Sequence, residues 1–177
     1  MVVSVSPPSR CSEDRVFYRR DDYHVGESTG YLLHQVMLSI RRDLERRLAL
    51  HGLTFAQWVP LWRLKTGQGR TSQEIACEVD IDAGAMTRLL DRLVAKGLIE
   101  RSRSASDRRV VNLALTPAGE AVAEQIPEVL ADVNNAYLKD FRVDEWQQLN
   151  GMLRRMLVNG QALASWPEDN RPIEEVS

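Results

Sequence analysis

The fold is decided by residues 71–117, which read TSQEIACEVDIDAGAMTRLLDRLVAKGLIERSRSASDRRVVNLALTP. Thr71 and Glu74 have the spacing of a capping box, in which two side chains satisfy the free amides at the start of a helix. Asp82 stands at the next N-cap position, and the apolar residues after it recur at intervals of three and four. Gly97 ends this run with a residue that tolerates the left-handed backbone of a helix C-terminus. The pattern predicts two short helices joined by a tight corner.

A β-hairpin is predicted directly after the second helix. Residues 98–101 and 110–115 are rich in β-branched and aliphatic side chains, and the loop at 103–109 reads RSASDRR. Thr116 and Pro117 then suit the N-cap and first position of a new helix. Two helices, a corner and a hairpin with an arginine-bearing loop are the order of a winged helix-turn-helix. That module places one helix and one β-loop on duplex DNA.

The charge of the chain is concentrated in this module. Residues 88–109 hold seven basic and three acidic side chains, a net charge of +4, whereas the whole chain has a net charge of −2. A local basic surface on an acidic background favours a nucleic-acid contact, although a solvated basic helix face is the alternative. The basic residues are Arg88, Arg92, Lys96, Arg101, Arg103, Arg108 and Arg109.

Three segments of the chain resemble the MarR (multiple-antibiotic-resistance regulator) family of bacterial transcription factors. They are IDAGAMTRLLDRLVAKGLIER at 81–101, DRRVVNLALTPAGE at 107–120 and GLTFAQWVPLWRL at 52–64. The resemblance extends over roughly residues 28–160. It implies a mainly α fold with a small β-wing, in which the winged helix-turn-helix is joined to a helical dimerisation region formed by the N- and C-terminal helices.

The resemblance also implies how DNA is contacted. Arg88 and its neighbours would enter the major groove, where arginine is the commonest reader of guanine. Arg109 would reach the minor groove, oriented by a charge-assisted hydrogen bond from Asp107, unless Asp107 only shapes the turn of the wing. The implied DNA-binding residues are Gly84, Thr87, Arg88, Arg92, Arg103, Asp107, Arg108 and Arg109.

Helical patterns flank the module on both sides, and we expect their apolar stripes to pair with a second copy in a homodimer. A dimer places two recognition helices about one DNA turn apart and binds a pseudo-palindrome. The alternative is a helical core within one chain. The predicted organisation is an irregular segment at 1–27, a dimerisation helix at 28–53, the DNA-binding lobe at 54–116, C-terminal dimerisation helices at 117–160 and a tail at 161–177.

A small aromatic ligand, phenolic or carboxylate, is the effector that the resemblance implies. Pro60 and Pro127 each remove a helical hydrogen bond, so we expect both to kink or interrupt their helices. A kink at Pro60 would open space beside two tryptophans, although aromatic residues at helical spacing more often belong to the core. The candidate ligand-binding residues are Tyr31, His34, Gln35, Leu38, Arg41, Trp58 and Trp62, with Arg41 as the carboxylate partner.

Other functional classes receive little support from the sequence. Nucleophile-elbow, zinc-protease and phosphate-loop motifs are absent, so we expect no enzyme, catalytic residue, metal site or cofactor. The longest run without charged residues, 48–62, contains polar residues and a proline, and no secretory signal is evident, so we expect a cytoplasmic protein without membrane contact. Cys11 and Cys77 are far apart and lack a metal-binding pattern.

We therefore predict a DNA-binding transcriptional regulator, a homodimeric repressor of a pseudo-palindromic operator that a small aromatic ligand relieves. Two other interpretations stay open. One is a helical protein-interaction adaptor with a degenerate winged helix, and the other is a regulator that senses thiol oxidation.

Overall fold

The computed structural model describes residues 16–79, 82–103 and 110–164. It has a winged-helix fold that is mainly helical with one small antiparallel sheet, which confirms the predicted fold class. Two 3-10 turns, Arg20–Asp22 and Val25–Glu27, precede the first helix. The elements that follow are α1 (Thr29–Ala49), α2 (Phe55–Lys65), α3 (Ser72–Val79), α4 (Ala83–Ala95), β1 (Ile99–Arg103), β2 (Val111–Leu115), α5 (Pro117–Tyr137) and α6 (Val143–Ala164).

The helix starts lie where the capping signals place them. The Glu74 amide donates to the Thr71 hydroxyl, and the Thr71 amide donates to the Glu74 carboxylate, both at 3.2 Å. One carboxylate oxygen of Asp82 accepts hydrogen bonds from the first amides of α4 at 2.7 and 3.2 Å. At the start of α5, the Thr116 hydroxyl accepts from the amide of Gly119 at 3.0 Å. These bonds satisfy amides that a helix leaves free at its N-terminus.

The hairpin is held to the helices at its base. β1 and β2 are antiparallel, with Ile99 opposite Leu115 and Arg103 opposite Val111. The Leu113 amide of β2 donates to a backbone carbonyl in the α2–α3 connection at 2.8 Å. That connection therefore supplies backbone hydrogen bonding to the free edge of the sheet.

One hydrophobic core unites the C-terminal half of α1 with α2 to α5 and the hairpin. α4 contributes residues at the three- and four-residue spacing that the sequence predicts, and its first core residue, Met86, is fully buried. The buried apolar residues are Leu44, Leu48, Leu53, Leu61, Ile75, Met86, Leu89, Leu90, Leu93, Leu98, Ile99, Leu113, Ala123, Ile126, Val129 and Val133.

Neither proline interrupts its helix, so that part of the prediction is wrong. α2 continues through Pro60 and α5 continues through Pro127. Pro60 is fully buried, and this packing offsets the hydrogen bond that its ring nitrogen does not donate. Pro127 lies on the exposed side of a 21-residue helix, whose neighbouring turns keep their own bonds.

Ion pairs join α5 to the first two helices. Lys65 of α2 contacts Glu120 at 2.5 Å and Glu124 at 2.9 Å, and these carboxylates raise the pKa of the Lys65 ammonium. Arg47 of α1 lies 3.0 Å from Asp132. All of these groups are partly exposed, so they orient the helices more than they stabilise them.

A tyrosine joins the end of α5 to the middle of α1. The Tyr137 hydroxyl donates to Asp43 at 2.9 Å and lies 2.6 Å from the Ser39 hydroxyl. Hydrogen bonds from Arg46 and then from Tyr137 lower the pKa of the Asp43 carboxyl. The carboxylate therefore stays ionised and holds the two helices in register.

α6 is the exception to this packing. In the described part of the chain it has no extensive contact with another helix or strand. It nevertheless carries large apolar residues that are 37–70% exposed, and the N-terminal half of α1 is similarly open. The exposed apolar residues of α6 are Val143, Trp146, Leu149, Met152, Met156, Leu157, Val158 and Leu163.

Gly119 lies where α5 comes close to the backbone just before β1. A Cβ atom added there would lie 1.9 Å from the backbone oxygen of Leu98, a contact that no side-chain rotation relieves. We expect Gly119→Ala to lower the free energy of unfolding by about 1–3 kcal/mol. Gly151→Ala is the matched control, because an added Cβ meets nothing within 4 Å there and the helix gains propensity. Equal denaturation midpoints for the two variants would contradict the close approach.

Candidate nucleic-acid interface

The outer face of α4 presents polar side chains around a capped helix start. Because Met86, Leu90 and Leu93 face the core, Thr87 and Arg88 lie on the opposite, exposed side. Gly84 and Arg92, also predicted to bind DNA, share this exposed side. The structure therefore brings these four predicted residues together on one surface, which we call the α4 surface.

The two arginines of the α4 surface have no partner among the described residues. Neither Arg88 nor Arg92 forms an ion pair or a hydrogen bond within the described ranges 16–79, 82–103 and 110–164. The Arg88 guanidinium extends toward the start of the helix, 3.8 Å from the point where a Cβ of Gly84 would lie. Glycine therefore keeps the helix start open beside a free cation, which suits the approach of a phosphate or a base edge.

Thr87 has its hydroxyl group fixed. Its Oγ1 donates to the Ala83 carbonyl at 2.9 Å, within the first turns of α4. The oxygen keeps lone pairs that accept hydrogen bonds, and the methyl group remains available for apolar contact. Both are groups that distinguish bases in a major groove.

Two basic residues that the sequence groups with the α4 surface have structural partners. Arg101 of β1 forms an ion pair with Asp91 of α4 at 2.7 Å, which fixes the base of the hairpin against the helix. Lys96, just after α4, donates to the Gly52 carbonyl at 2.6 Å and to the Gln57 side-chain oxygen at 2.8 Å. Sequence spacing does not reveal the Lys96 contacts, since its partners lie about 40 residues earlier in the chain.

Gln57 makes the Lys96 contact a joint between three helices. Its side chain is almost completely buried, and its oxygen also accepts from the amide of Thr54 at 3.1 Å. Gly52, in the turn between α1 and α2, has a positive φ of 69°, a conformation that favours glycine. Lys96 therefore links the end of α4 to the α1–α2 turn and to the first turn of α2.

The wing is described only at its base. Arg103 is exposed at the end of β1, two residues after Arg101, which forms the ion pair with Asp91 of α4. Asp107, Arg108 and Arg109 lie outside the described residues, as do Cys11 and the side chain of Cys77. The roles predicted for them remain predictions.

The ligand-binding candidates divide between two helices. Tyr31, His34, Gln35, Leu38 and Arg41 lie on the exposed side of α1, whereas Trp58 and Trp62 are half-buried against the core. Of the seven candidates, only Leu38 and Arg41 line an open groove of about 640 Å³ on α1. The other residues of that groove are Arg42, Glu45, Arg46 and Ala49.

Phe55 connects the two groups of candidates and was not predicted. The Arg41 guanidinium lies 5.2 Å from the centre of its ring, and the Trp58 ring packs edge-on against it at 6.4 Å. The buried Nε1 of Trp58 has no hydrogen-bond partner in the part of the chain that the structure describes. A buried donor without a partner is costly, and this N–H meets an acceptor from outside the chain only if the side chains that bury it move.

Among the described side chains, no group of three or more histidine, cysteine or carboxylate residues has the geometry to hold a metal ion. No described helix is both long enough and apolar enough to cross a bilayer.

Comparisons with known proteins connect this geometry to DNA. The model of the MarR family matches residues 53–111. The chain is 33% identical to the multiple antibiotic resistance protein MarR of Escherichia coli over 129 residues, which cover 72% of this chain and 90% of that protein.

Two similar solved structures contain DNA. A cysteine variant of Escherichia coli MarR in complex with operator DNA has a TM-score of 0.66 at 33% identity, covering 72% of this chain and 92% of the other. The transcriptional repressor CouR bound to a 23-mer DNA duplex has a TM-score of 0.68 at 30% identity, with coverages of 75% and 94%.

Substitution by methionine should destabilise the protein at Lys96 but not at Arg92, because only Lys96 has hydrogen-bond partners among the described residues. Lys96→Met removes two hydrogen bonds from an ammonium group and leaves the buried Gln57 oxygen with one donor fewer, so we expect a loss of about 1–3 kcal/mol in the free energy of unfolding. Arg92→Met, one turn earlier, removes no protein contact and should stay within about 0.5 kcal/mol of the original protein. Urea denaturation of both variants measures the difference, and equal stability would argue against the joint.

Proposed function

The chain belongs to the MarR family of transcriptional regulators, and on that premise we propose that it is a homodimeric repressor of a pseudo-palindromic operator, relieved by a small aromatic ligand. Members of this family are transcription regulators rather than enzymes. The observation that carries the proposal is the α4 surface, where Arg88 and Arg92 are exposed beside a capped helix start and form no ion pair with another described residue. Arginines on a rigidly packed helix bind DNA without a further ordering cost for the helix backbone, although each side chain loses rotamer freedom.

In the proposed complex, α4 lies in the major groove. Arg88 donates to a guanine edge, and Thr87 contacts a neighbouring base. Arg92, one turn later on the same side, binds a backbone phosphate. Gly84 lets the amides at the start of α4 come close to the sugar-phosphate chain.

The wing supplies the second contact. Arg103 at its base binds phosphate, Arg108 adds a further cation, and Arg109 enters the minor groove with Asp107 as its orienting acceptor. The Asp91–Arg101 ion pair supports this arrangement, because it holds the first wing strand against the helix that lies in the major groove. Both contacts are then made by one rigid unit.

The unpaired helix faces support the homodimer. α6 and the N-terminal half of α1 expose large apolar residues that a single copy does not cover. Patches of this kind mark association surfaces, and identical chains associate by two-fold symmetry. In the proposed organisation, residues 28–53 and 117–160 form the dimerisation region, residues 54–116 form the DNA-binding lobe, and segments 1–27 and 161–177 flank them. Two copies then present two α4 helices to a pseudo-palindrome.

The effector is proposed to bind where α1 meets α2. Arg41 offers a cation for a carboxylate, Phe55 offers an aromatic edge, and Trp58 offers an unsatisfied N–H donor. The remaining candidates on α1, Tyr31, His34, Gln35 and Leu38, line the approach, and Trp62 packs behind Trp58. A ligand that binds better to a form with wrongly spaced α4 helices shifts the population away from DNA binding.

The DNA contacts are tested by substitution on an operator selected from a random-sequence duplex library with the unaltered protein. We expect Arg88→Ala and Arg109→Ala each to weaken binding by about 1–3 kcal/mol, since each removes a groove contact. Lys139→Ala is the control, because it makes the same change in net charge in the turn between α5 and α6. Mobility-shift titrations at several salt concentrations measure the affinities.

Three results would contradict the docking or the function. Unchanged affinity in both arginine variants contradicts the docking, and equal losses in all three variants show only a net-charge effect. If no duplex is selected, or if affinity does not fall with salt, the chain is a protein-interaction adaptor rather than a DNA-binding regulator.

The effector site is tested with hydroxybenzoic acids and related phenols as probes. At a concentration of about 100 times its Kd, a ligand that binds only the folded state stabilises it by about 2.7 kcal/mol, and it should also release the operator. Arg41→Gln and Trp58→Phe should weaken the best probe about tenfold, since each removes a hydrogen-bond donor. Trp146→Phe is the matched control for the indole, because Trp146 lies on α6, outside the proposed effector site. A panel without any thermal shift or release of DNA refutes this class of effector.

A further inference from the structure

The end of α4 is bound to two other parts of the chain through adjacent residues. Lys96 donates to the Gly52 carbonyl at 2.6 Å and to the Gln57 side-chain oxygen at 2.8 Å. The carbonyl of Gly97, the next residue, accepts from the Thr116 hydroxyl at 2.6 Å. The first contacts lead to the α1–α2 turn and to α2, and the last one leads to the start of α5. The end of α4 is therefore held between the helices that precede it and the helix that follows the hairpin.

The position of Lys96 gives it leverage over the α4 surface. Gly84 and Arg88 lie twelve and eight residues before it on the same helix. At the rise of an α-helix these residues are about 18 and 12 Å from Lys96 along the axis, so a tilt of about 10° at the end of α4 moves Gly84 by about 3 Å. A binding site keeps its groups within about 0.5 Å of the productive geometry. A small change at Lys96 is therefore sufficient to misplace the groups that face DNA.

The first turn of α2 lies on the other side of the Lys96–Gln57 contact. The amide of Phe55 in this turn donates to the Glu45 carboxylate of α1 at 2.6 Å, and the Arg41 guanidinium lies 5.2 Å from the centre of the Phe55 ring. Glu45 and Arg41 both line the open groove on α1. The first turn of α2 therefore contacts the groove through Phe55 and α4 through Gln57.

The Lys96–Gln57 contact has two accessible states. Lys96 is exposed, so its ammonium group can leave the contact for water at a modest net cost. Gln57 is only 1% exposed, and its oxygen also accepts from the Thr54 amide at 3.1 Å. We call the contact closed when Lys96 is bound to Gln57 and open when it is not. Coupling between two sites requires an element with two states whose balance both sites change.

We propose that Lys96 is a positioning residue for operator binding. In the closed state its contact with Gln57 holds α4 in the orientation that fits the major groove, and in the open state α4 is free to tilt. A ligand in the groove on α1 that attracts Arg41 disturbs the first turn of α2 and favours the open state. The inference rests on the proposed docking of α4 and adds the contact through which an effector acts on it.

Substitutions on both sides of the contact test this role on the operator selected as above. We expect Lys96→Met and Gln57→Met each to weaken operator binding about tenfold, within the usual range of coupling between two sites. The double variant should bind no worse than either single variant, because the contact is lost only once. Gln57→Glu keeps the acceptor and should keep the affinity. Lys139→Met is the matched control for the lost charge, since Lys139 lies in the turn between α5 and α6.

A direct contact between Lys96 and a DNA phosphate is the competing explanation. The ammonium group has three protons, and two of them are used among the described residues. A phosphate contact predicts that Lys96→Met lowers the salt dependence of log affinity by about 1 unit, while Gln57→Met binds normally. Positioning instead predicts the same loss and the same salt dependence in both variants. Mobility-shift titrations at several salt concentrations distinguish the two.

Hydrogen exchange tests the coupling without an effector. If opening weakens operator binding about tenfold, bound operator must disfavour opening by the same factor. The Thr54 amide donates to the Gln57 oxygen, so it exchanges with solvent when Gln57 moves away. Saturating operator should therefore slow its exchange about tenfold in the original protein but not in Lys96→Met. Mass spectrometry of the peptide that covers residues 52–58 measures the rate.

The outcomes separate the inference from the proposed function. If no operator is selected, or if Arg88→Ala binds it at full affinity, the proposed docking fails and the inference fails with it. If Arg88→Ala binds weakly while Lys96→Met binds as tightly as Lys139→Met, only the inference fails. Exchange at the first turn of α2 that does not respond to operator also overturns it. Far-UV circular dichroism at the assay temperature verifies folding, and should Gln57→Met not fold, Lys96→Met and the exchange measurement decide.

Discussion

The burial of one face of α4 is the constraint on which the rest of the structure depends. Met86, Leu90 and Leu93 are completely buried in the core that α4 shares with α2, α3 and β1, so α4 has one rotation about its axis. That rotation determines which side chains face outward, and it places Arg88 and Arg92 on the same exposed surface. A solvated basic helix face is unremarkable alone, but here its direction is set by the packing of the whole lobe.

Three contacts outside the core also fix the position of α4 relative to its neighbours. Lys96 fixes the end of α4 to the α1–α2 turn, and Arg101 fixes the hairpin to the middle of α4. The missing side chain of Gly119 lets α5 approach the backbone between them. The unit formed by α2, α3, α4 and the hairpin is consequently joined to α1 and α5 at contacts that also position α4. A displacement of those helices is transmitted to the α4 surface through few atoms, which suits a regulator whose ligand site and DNA site are separate.

Local signals in the sequence were sufficient for the order of elements and for most helix starts. The caps at Thr71, Asp82 and Thr116 act within three residues, so their geometry follows from spacing alone. Long-range contacts were not predictable in this way. Pro60 continues its helix because it packs in the core, Lys96 serves a joint with distant partners, and Phe55 lies between Arg41 and Trp58. In each case the outcome depends on tertiary contacts between residues at no fixed spacing in the sequence. These contacts override the local preference.

α6 has a consequence for gene control that goes beyond structure. A helix with so little contact to the rest of the described chain would gain its stability from the proposed association, because isolated helices are marginal in water. In the proposed dimer, the number of competent regulators therefore rises with the square of the protein level when that level is low. Transcription of the controlled gene is then switched off over a narrower range of regulator concentration than a monomeric regulator would give. Dimerisation through α6 then sets the regulator concentration at which repression begins.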